Sequence, residues 1–139
     1  MVNGLNKDTR ELCRIVPLIL IVDDNQDNLL FISFILDSLN LKFISASSSG
    51  EAIALAINGQ PDLIFLDMVM PKMDGMEITR RLKNNSFTQN IPIVAVTGLT
   101  LPEHQQAIRE AGCDGYICKP FSIEEIEAQI AHFLNLCLV

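Results

Sequence analysis

Short apolar runs alternate with longer amphipathic segments, and this happens five times along the chain. That pattern constrains the fold more than any other feature. Leu18–Val22 is five consecutive branched aliphatics, the composition of a strand buried on both faces. Residues 25–39 follow, with Leu29, Ile32, Leu36 and Leu39 at three- and four-residue steps, the spacing of a helix. Phe31, Phe34 and Ile35 make that helix apolar on more than one face. Lys42–Ala46 reads as a second strand, and Ser47-Ser48-Ser49-Gly50 as a turn that caps a helix over about 51–58. Gly59-Gln60-Pro61 stops it. Residues 62–66 form a third strand, Met70 to Gly75 a loop, and a helix then runs to about Asn84. After a polar connector, residues 91–96 form a fourth strand. Pro102 suits the first turn of a helix ending at Gly112. Residues 116–118 are a short fifth strand. Ser122 with Glu125 forms a capping box for a last helix that continues to the C-terminus.

Strands that alternate with helices predict an α/β fold, a doubly wound parallel sheet with helices on both faces and right-handed crossovers. In such sheets functional groups gather outside the carboxyl ends of the strands. Four strand ends carry polar residues: Asp23-Asp24, Asp67, Thr97 and Lys119. One Asp after a strand is ordinary turn chemistry. Three carboxylates, a hydroxyl and an ammonium at one edge are not explained by turns. Such acids repel one another, and burial worsens it. Mg²⁺ relieves the repulsion, since it takes one or two carboxylates, waters and phosphate oxygens. Asp24 and Asp67 would ligate directly and Asp23 through water. A carboxylate is also a nucleophile toward phosphorus. Lys119 would neutralise charge on a transferring phosphoryl group, and the Thr97 hydroxyl would donate to it.

The chain has 139 residues, nearly half of them apolar, which suits one domain with its own core. We divide it into an N-terminal extension (1–16) and one domain (17–139) without an output domain. The net charge of −7 argues against nucleic acid and against an anionic membrane. The longest early apolar run is far short of the ~20 residues of a membrane span, so we expect a cytoplasmic protein. Cys13, Cys113, Cys118 and Cys137 form no C-x-x-C pair and read as reduced, packed thiols. His104 and His132 read as solvated helix residues.

The sequence resembles the receiver domain of bacterial two-component response regulators, which has the chemotaxis-type fold. The resemblance lies in Val22-Asp23-Asp24, in Leu66-Asp67-Met68-Val69-Met70-Pro71-x-Met73-Asp74-Gly75, in Val96-Thr97-Gly98 and in Tyr116-Ile117-Cys118-Lys119-Pro120-Phe121. It covers about residues 17–135, and the steps of 43, 30 and 22 residues between Asp24, Asp67, Thr97 and Lys119 look like the family's. It implies a five-stranded, flavodoxin-like sheet of order 2-1-3-4-5. Asp67 would be the phosphoacceptor. Asp23, Asp24, Asp67 and the backbone carbonyl of Met68 would hold Mg²⁺. Thr97 and Tyr116 would be the switch pair, and Lys119 would bridge Asp67 and the phosphoryl group. A cis Lys119–Pro120 bond would also fit the family. Pro71 and Gly75 read as loop shapers. Val69 and Leu99 sit where the family tunes phosphoryl lifetime; both are apolar, so we expect slow self-dephosphorylation.

The implied partners are a histidine kinase or histidine phosphotransfer protein, and a downstream protein target met through the surface of the fourth helix, the fifth strand and the last helix. The fourth helix, with only Ala107, Ile108 and Ala111 to pack, reads as a moving part. The tail over 133–139 is apolar on several faces, which predicts a homodimer through the last helix. Two other classes compete. A Mg²⁺-dependent phosphohydrolase with an aspartyl-phosphate intermediate would share the nucleophile, but it usually carries a second acid where Val69 stands. A flavin-binding or phosphorylation-independent scaffold shares the fold. The first loop here is acidic and would repel a flavin phosphate, and a scaffold has no need of the whole constellation.

Overall fold

A computed structural model describes residues 16–70, 73–98 and 101–136. The readings made for residues 1–15, Cys13, Pro71, Leu99, Cys137 and the last two residues lie outside these. Five strands form one parallel sheet: β1 (Leu18–Val22), β2 (Lys42–Ala46), β3 (Leu63–Asp67), β4 (Ile93–Thr97) and β5 (Gly115–Cys118). Their order is β2-β1-β3-β4-β5, as expected. Five helices connect and follow them: α1 (Gln26–Ser38), α2 (Ser49–Gly59), α3 (Gly75–Lys83), α4 (Pro102–Ala111) and α5 (Ile123–Leu134).

Alternation along the strands splits the core in two. Leu20, Val22, Ile64, Leu66, Ile93 and Ala95 pack with α2, α3 and α4. Ile19, Ile21, Leu63, Phe65, Val94 and Val96 pack with α1 and α5 on the other face. Strands β1, β3 and β4 are therefore covered on both sides, which is why they read as unbroken apolar runs.

Polar side chains fix the ends of the sheet. Asp62 accepts from the Leu18 backbone at 2.8 Å, tying the start of β3 to β1. Asp114 accepts from the Ile93 backbone and from Lys83 Nζ, both at 2.9 Å. Lys83 in turn reaches the Ile91 carbonyl at 2.8 Å, so α3, β4 and the approach to β5 share one anchor.

Three local readings change. The loop after β3 contains a short antiparallel ladder, with Val69–Met70 facing Met73–Asp74. Ala107 is exposed, and α4 buries only Ile108 and Ala111. Its N-cap, Leu101, has no side chain able to cap, which leaves α4 thinly held. The last helix does not continue to the C-terminus: it ends at Leu134, where Asn135 takes a left-handed conformation. Phe133, Leu134 and Leu136 then pack half-buried against the core. Large apolar side chains are exposed instead on α1, at Leu30 and Phe34.

Candidate phosphoacceptor site

Strands β1 and β3 are neighbours whose connections leave in opposite directions, and a crevice forms at such a switch point. Asp23 and Asp24 follow β1 there, and Asp67 ends β3. Asp23 and Asp67 are 2% and 4% exposed, while Asp24 is half-buried. One carboxylate oxygen from each of the three lies within 4.8 Å of the others.

The carboxylates are held before any ligand arrives. Asp23 Oδ1 accepts from the Asn25 backbone at 2.9 Å, which turns the chain into α1. Asp67 Oδ1 accepts from the Val69 backbone at 3.0 Å. Asp67 Oδ2 accepts from Lys119 Nζ at 2.9 Å, and the same ammonium stands 4.0 Å from Asp23 Oδ2. The Lys119 backbone donates to the Thr97 carbonyl at 2.8 Å, so the lysine is fixed at both ends. The Lys119–Pro120 bond is cis. Thr97 is fully buried at the end of β4, paired in register with Cys118.

Burial pushes the Asp23 carboxyl above the usual carboxylate range. The Asn25 N–H opposes this, the nearby Asp67 charge adds to it, and Lys119 and the Asn28 side chain oppose it again. A crevice that holds Asp23 at this disadvantage suits a hard divalent cation. Three carboxylate oxygens are the donors such a cation prefers, and the Met68 carbonyl follows directly on Asp67.

Tyr116 lies away from the acids, half-buried, and lines a cavity of about 440 Å³ between α4 and α5 with Gln105, Arg109, Gln129 and His132. His104 is not the solvated residue expected: it is half-buried, and its Nδ1 has no hydrogen-bond partner among the described residues. Cys113 and Cys118, the described cysteines, are free.

Sequence reading assigned too little to Gly75. It is buried at the start of α3, and a Cβ there would stand 2.6 Å from Met68 Cα and 2.7 Å from the Asp67 carbonyl. Glycine lets the helix start pack against the backbone that carries Asp67. The Asp74-Gly75 pair was the available signal, since Asp74 caps α3 through the Met76 and Glu77 N–H groups.

Fold and site together define a class, the α/β domains built around an acidic crevice with a lysine beside it. The chain matches the family model of the response regulator receiver domain over residues 19–131, and it belongs to that family. It is 33% identical over 117 residues to the polar-differentiation response regulator DivK of Brucella ovis, covering 84% of this chain and 95% of that one. Its structure is similar to that of the chemotaxis protein CheY4 of Vibrio cholerae, with a TM-score of 0.80, 28% identity and coverage of 85% and 98% of the two chains. It is also similar to the receiver domain of sensor histidine kinase PA1611 from Pseudomonas aeruginosa, which was solved with a magnesium ion coordinated in its active site cleft. There the TM-score is 0.80, the identity 26% and the coverage 87% and 99%. The chain is thus a receiver domain of two-component signalling. No helix among the described residues is long and apolar enough to cross a membrane.

Proposed function

We propose that the domain accepts a phosphoryl group on Asp67 from a phosphohistidine of a histidine kinase or phosphotransfer protein, with Mg²⁺ in the acidic crevice, and works in the cytoplasm. The observation that carries this is the contact of Lys119 Nζ with Asp67 Oδ2 at 2.9 Å, inside a cluster of three carboxylates. A structural ion pair needs one acid; three acids around one lysine leave charge that only a further cation balances. Asp23, Asp24, Asp67 and the Met68 carbonyl would hold that cation. Bound there, Mg²⁺ would neutralise charge on the phosphoryl oxygens and orient the group for in-line transfer.

The chain's own residues supply the rest. An Asp67 carboxylate oxygen attacks phosphorus, the phosphorus–nitrogen bond of the donor breaks, and its electron pair leaves with the imidazole. Lys119 follows the phosphoryl oxygens, and the Thr97 hydroxyl donates to one of them. Tyr116 then responds to the Thr97 position, and α4 shifts with it. The thin packing of α4 supports this, because a helix that buries two side chains costs little to move. The α4–β5–α5 surface would meet a downstream target, or the phosphoryl group would pass on to another histidine. The domain over 17–139 turns over no other substrate in this reading. Val69 occupies the place where a phosphohydrolase usually carries its second acid. A homodimer through α5 has less support than the sequence promised, because Phe133, Leu134 and Leu136 pack against their own core.

Intact mass after incubation with Mg²⁺ and acetyl phosphate tests the proposal. One added phosphoryl group, dependent on Mg²⁺ and lost in Asp67→Asn, is the expected result. A folded sample that takes up none would leave a scaffold acting by binding alone.

A further inference from the structure

Phe31 on α1 remains 40% exposed although it pairs with a second aromatic ring. Its partner is Phe121, with ring centroids 5.6 Å apart and planes tilted by 34°. Phe121 is half-buried and packs against the core under α1 and α5. The two rings, with Asn28, Lys119 and Pro120, line a cavity of about 420 Å³. Small-molecule sites occupy roughly 300–1,000 Å³.

The lining has two characters. Phe31, Pro120 and Phe121 offer carbon surface, while Asn28 and Lys119 supply the polar groups. The Lys119 ammonium contacts Asp67 Oδ2 at 2.9 Å, yet its side chain stays 28% exposed. One residue therefore borders both this cavity and the acidic crevice. A ligand that suits both parts has an anionic head for the ammonium and a flat apolar body for the rings.

We propose that the cavity is the leaving-group subsite for the phosphodonor, and that Phe31 and Phe121 select donors whose leaving group carries a ring. The inference rests on the reading of Asp67 as phosphoacceptor. With an aryl acyl phosphate such as benzoyl phosphate, an Asp67 carboxylate oxygen bonds to phosphorus. The bond from phosphorus to the bridging acyl oxygen breaks, and its electron pair leaves on benzoate. The benzoate ring lies against Phe31 and Phe121 as the bond breaks. An apolar group that fills a hydrophobic pocket changes a rate by roughly 10- to 200-fold. Phe31 is open to water on one side, so the lower end of that range applies here.

The test compares Asp67 labelling by benzoyl phosphate and by acetyl phosphate, read by intact mass in Mg²⁺ at subsaturating donor. Acetyl phosphate has the same mixed-anhydride bond with a methyl in place of the ring. Comparing the ratio of the two rates between variants cancels the donors' own reactivities. The ratio should fall at least about fivefold from the native chain to Phe31→Ala, and less in Phe31→Leu. Should Phe31→Ala melt early, Phe121→Leu decides in its place. Calorimetry with benzylphosphonate, whose phosphorus–carbon bond does not transfer, reads the subsite without the chemistry. It should bind the native chain at least about fivefold more tightly than methylphosphonate does, and lose that advantage in Phe31→Ala. An unchanged donor ratio in a variant that melts like the native chain, or no preference for benzylphosphonate, would overturn the inference and leave the phosphoacceptor reading intact. A native chain labelled by neither donor would overturn both.

Discussion

Replacing Asp23 by asparagine should make the metal-free protein more stable, although it removes a residue from the functional crevice. At the 4.8 Å within which the carboxylate oxygens lie, two unit charges repel by about 3.5 kcal/mol at an effective dielectric of roughly 20. Asp23 meets two such partners, Asp24 and Asp67. Lys119 at 4.0 Å returns about 4 kcal/mol on the same scale. The balance is on the order of 3 kcal/mol against the ionised Asp23. Asp24 and Lys119 are partly exposed, and solvent screening reduces the gain to about 1–2 kcal/mol. Asparagine keeps an oxygen for the Asn25 N–H, so the start of α1 survives. For a domain of this size the gain corresponds to a melting temperature higher by roughly 3–6 °C.

The pH dependence gives the prediction its sign. Asp23 is raised in the folded state, so the native chain binds its proton more tightly folded than unfolded. Stability from this group is fully present below the unfolded value of 3.8 and is lost as pH rises through the raised folded value. The advantage of Asp23→Asn should therefore be largest at neutral pH and vanish on acidification. Mg²⁺ should reverse the order: at a hundred times the dissociation constant it adds about 2.7 kcal/mol to the native chain and little to the variant. Thermal melts followed by circular dichroism at neutral and acid pH, in chelator and in Mg²⁺, provide the measurement. A variant less stable than the native chain at neutral pH in chelator, or an advantage independent of pH, would refute the electrostatic argument.

Gly75→Ala places a Cβ against the Met68 and Asp67 backbone and should cost about 1–3 kcal/mol in urea melts. It should also slow labelling of Asp67 by at least about tenfold, since the acceptor's backbone must shift; full-rate labelling would contradict it. Val69 is 56% exposed, and its backbone N–H is bonded to the Asp67 carboxylate. Val69→Asn should shorten the lifetime of the phosphorylated form on the order of tenfold, by offering a water a hydrogen bond beside the phosphoryl group. A native half-life of seconds, or an unchanged lifetime in the variant, would remove that reasoning.

The sheet was legible because β1, β3 and β4 are covered on both faces, and only apolar residues satisfy that. The acids, Thr97 and Lys119 were legible because each follows such a run, and the topology brings strand ends together. The end of α5 was not. Six of the seven residues from Phe133 onward are apolar, and the left-handed turn at Asn135 depends on how the chain meets the core. Gly75 was hidden for a related reason. What matters at Gly75 is the distance to backbone seven and eight residues earlier. His104 escaped because helical spacing says nothing about what covers a half-polar ring.

Lys119 leaves β5 and meets Asp67 on β3, so its side chain spans the end of β4. It acts as a strut between the centre of the sheet and its rim. Any event that changes the charge on Asp67 alters the load on that strut. The adjacent strand need not move for the edge strand to register it. β5 is the less covered end of the span, and Tyr116 and the α4–α5 cavity sit on it. A chemical change at the buried Asp67 would thereby be felt at the margin of the sheet, where another protein could reach it.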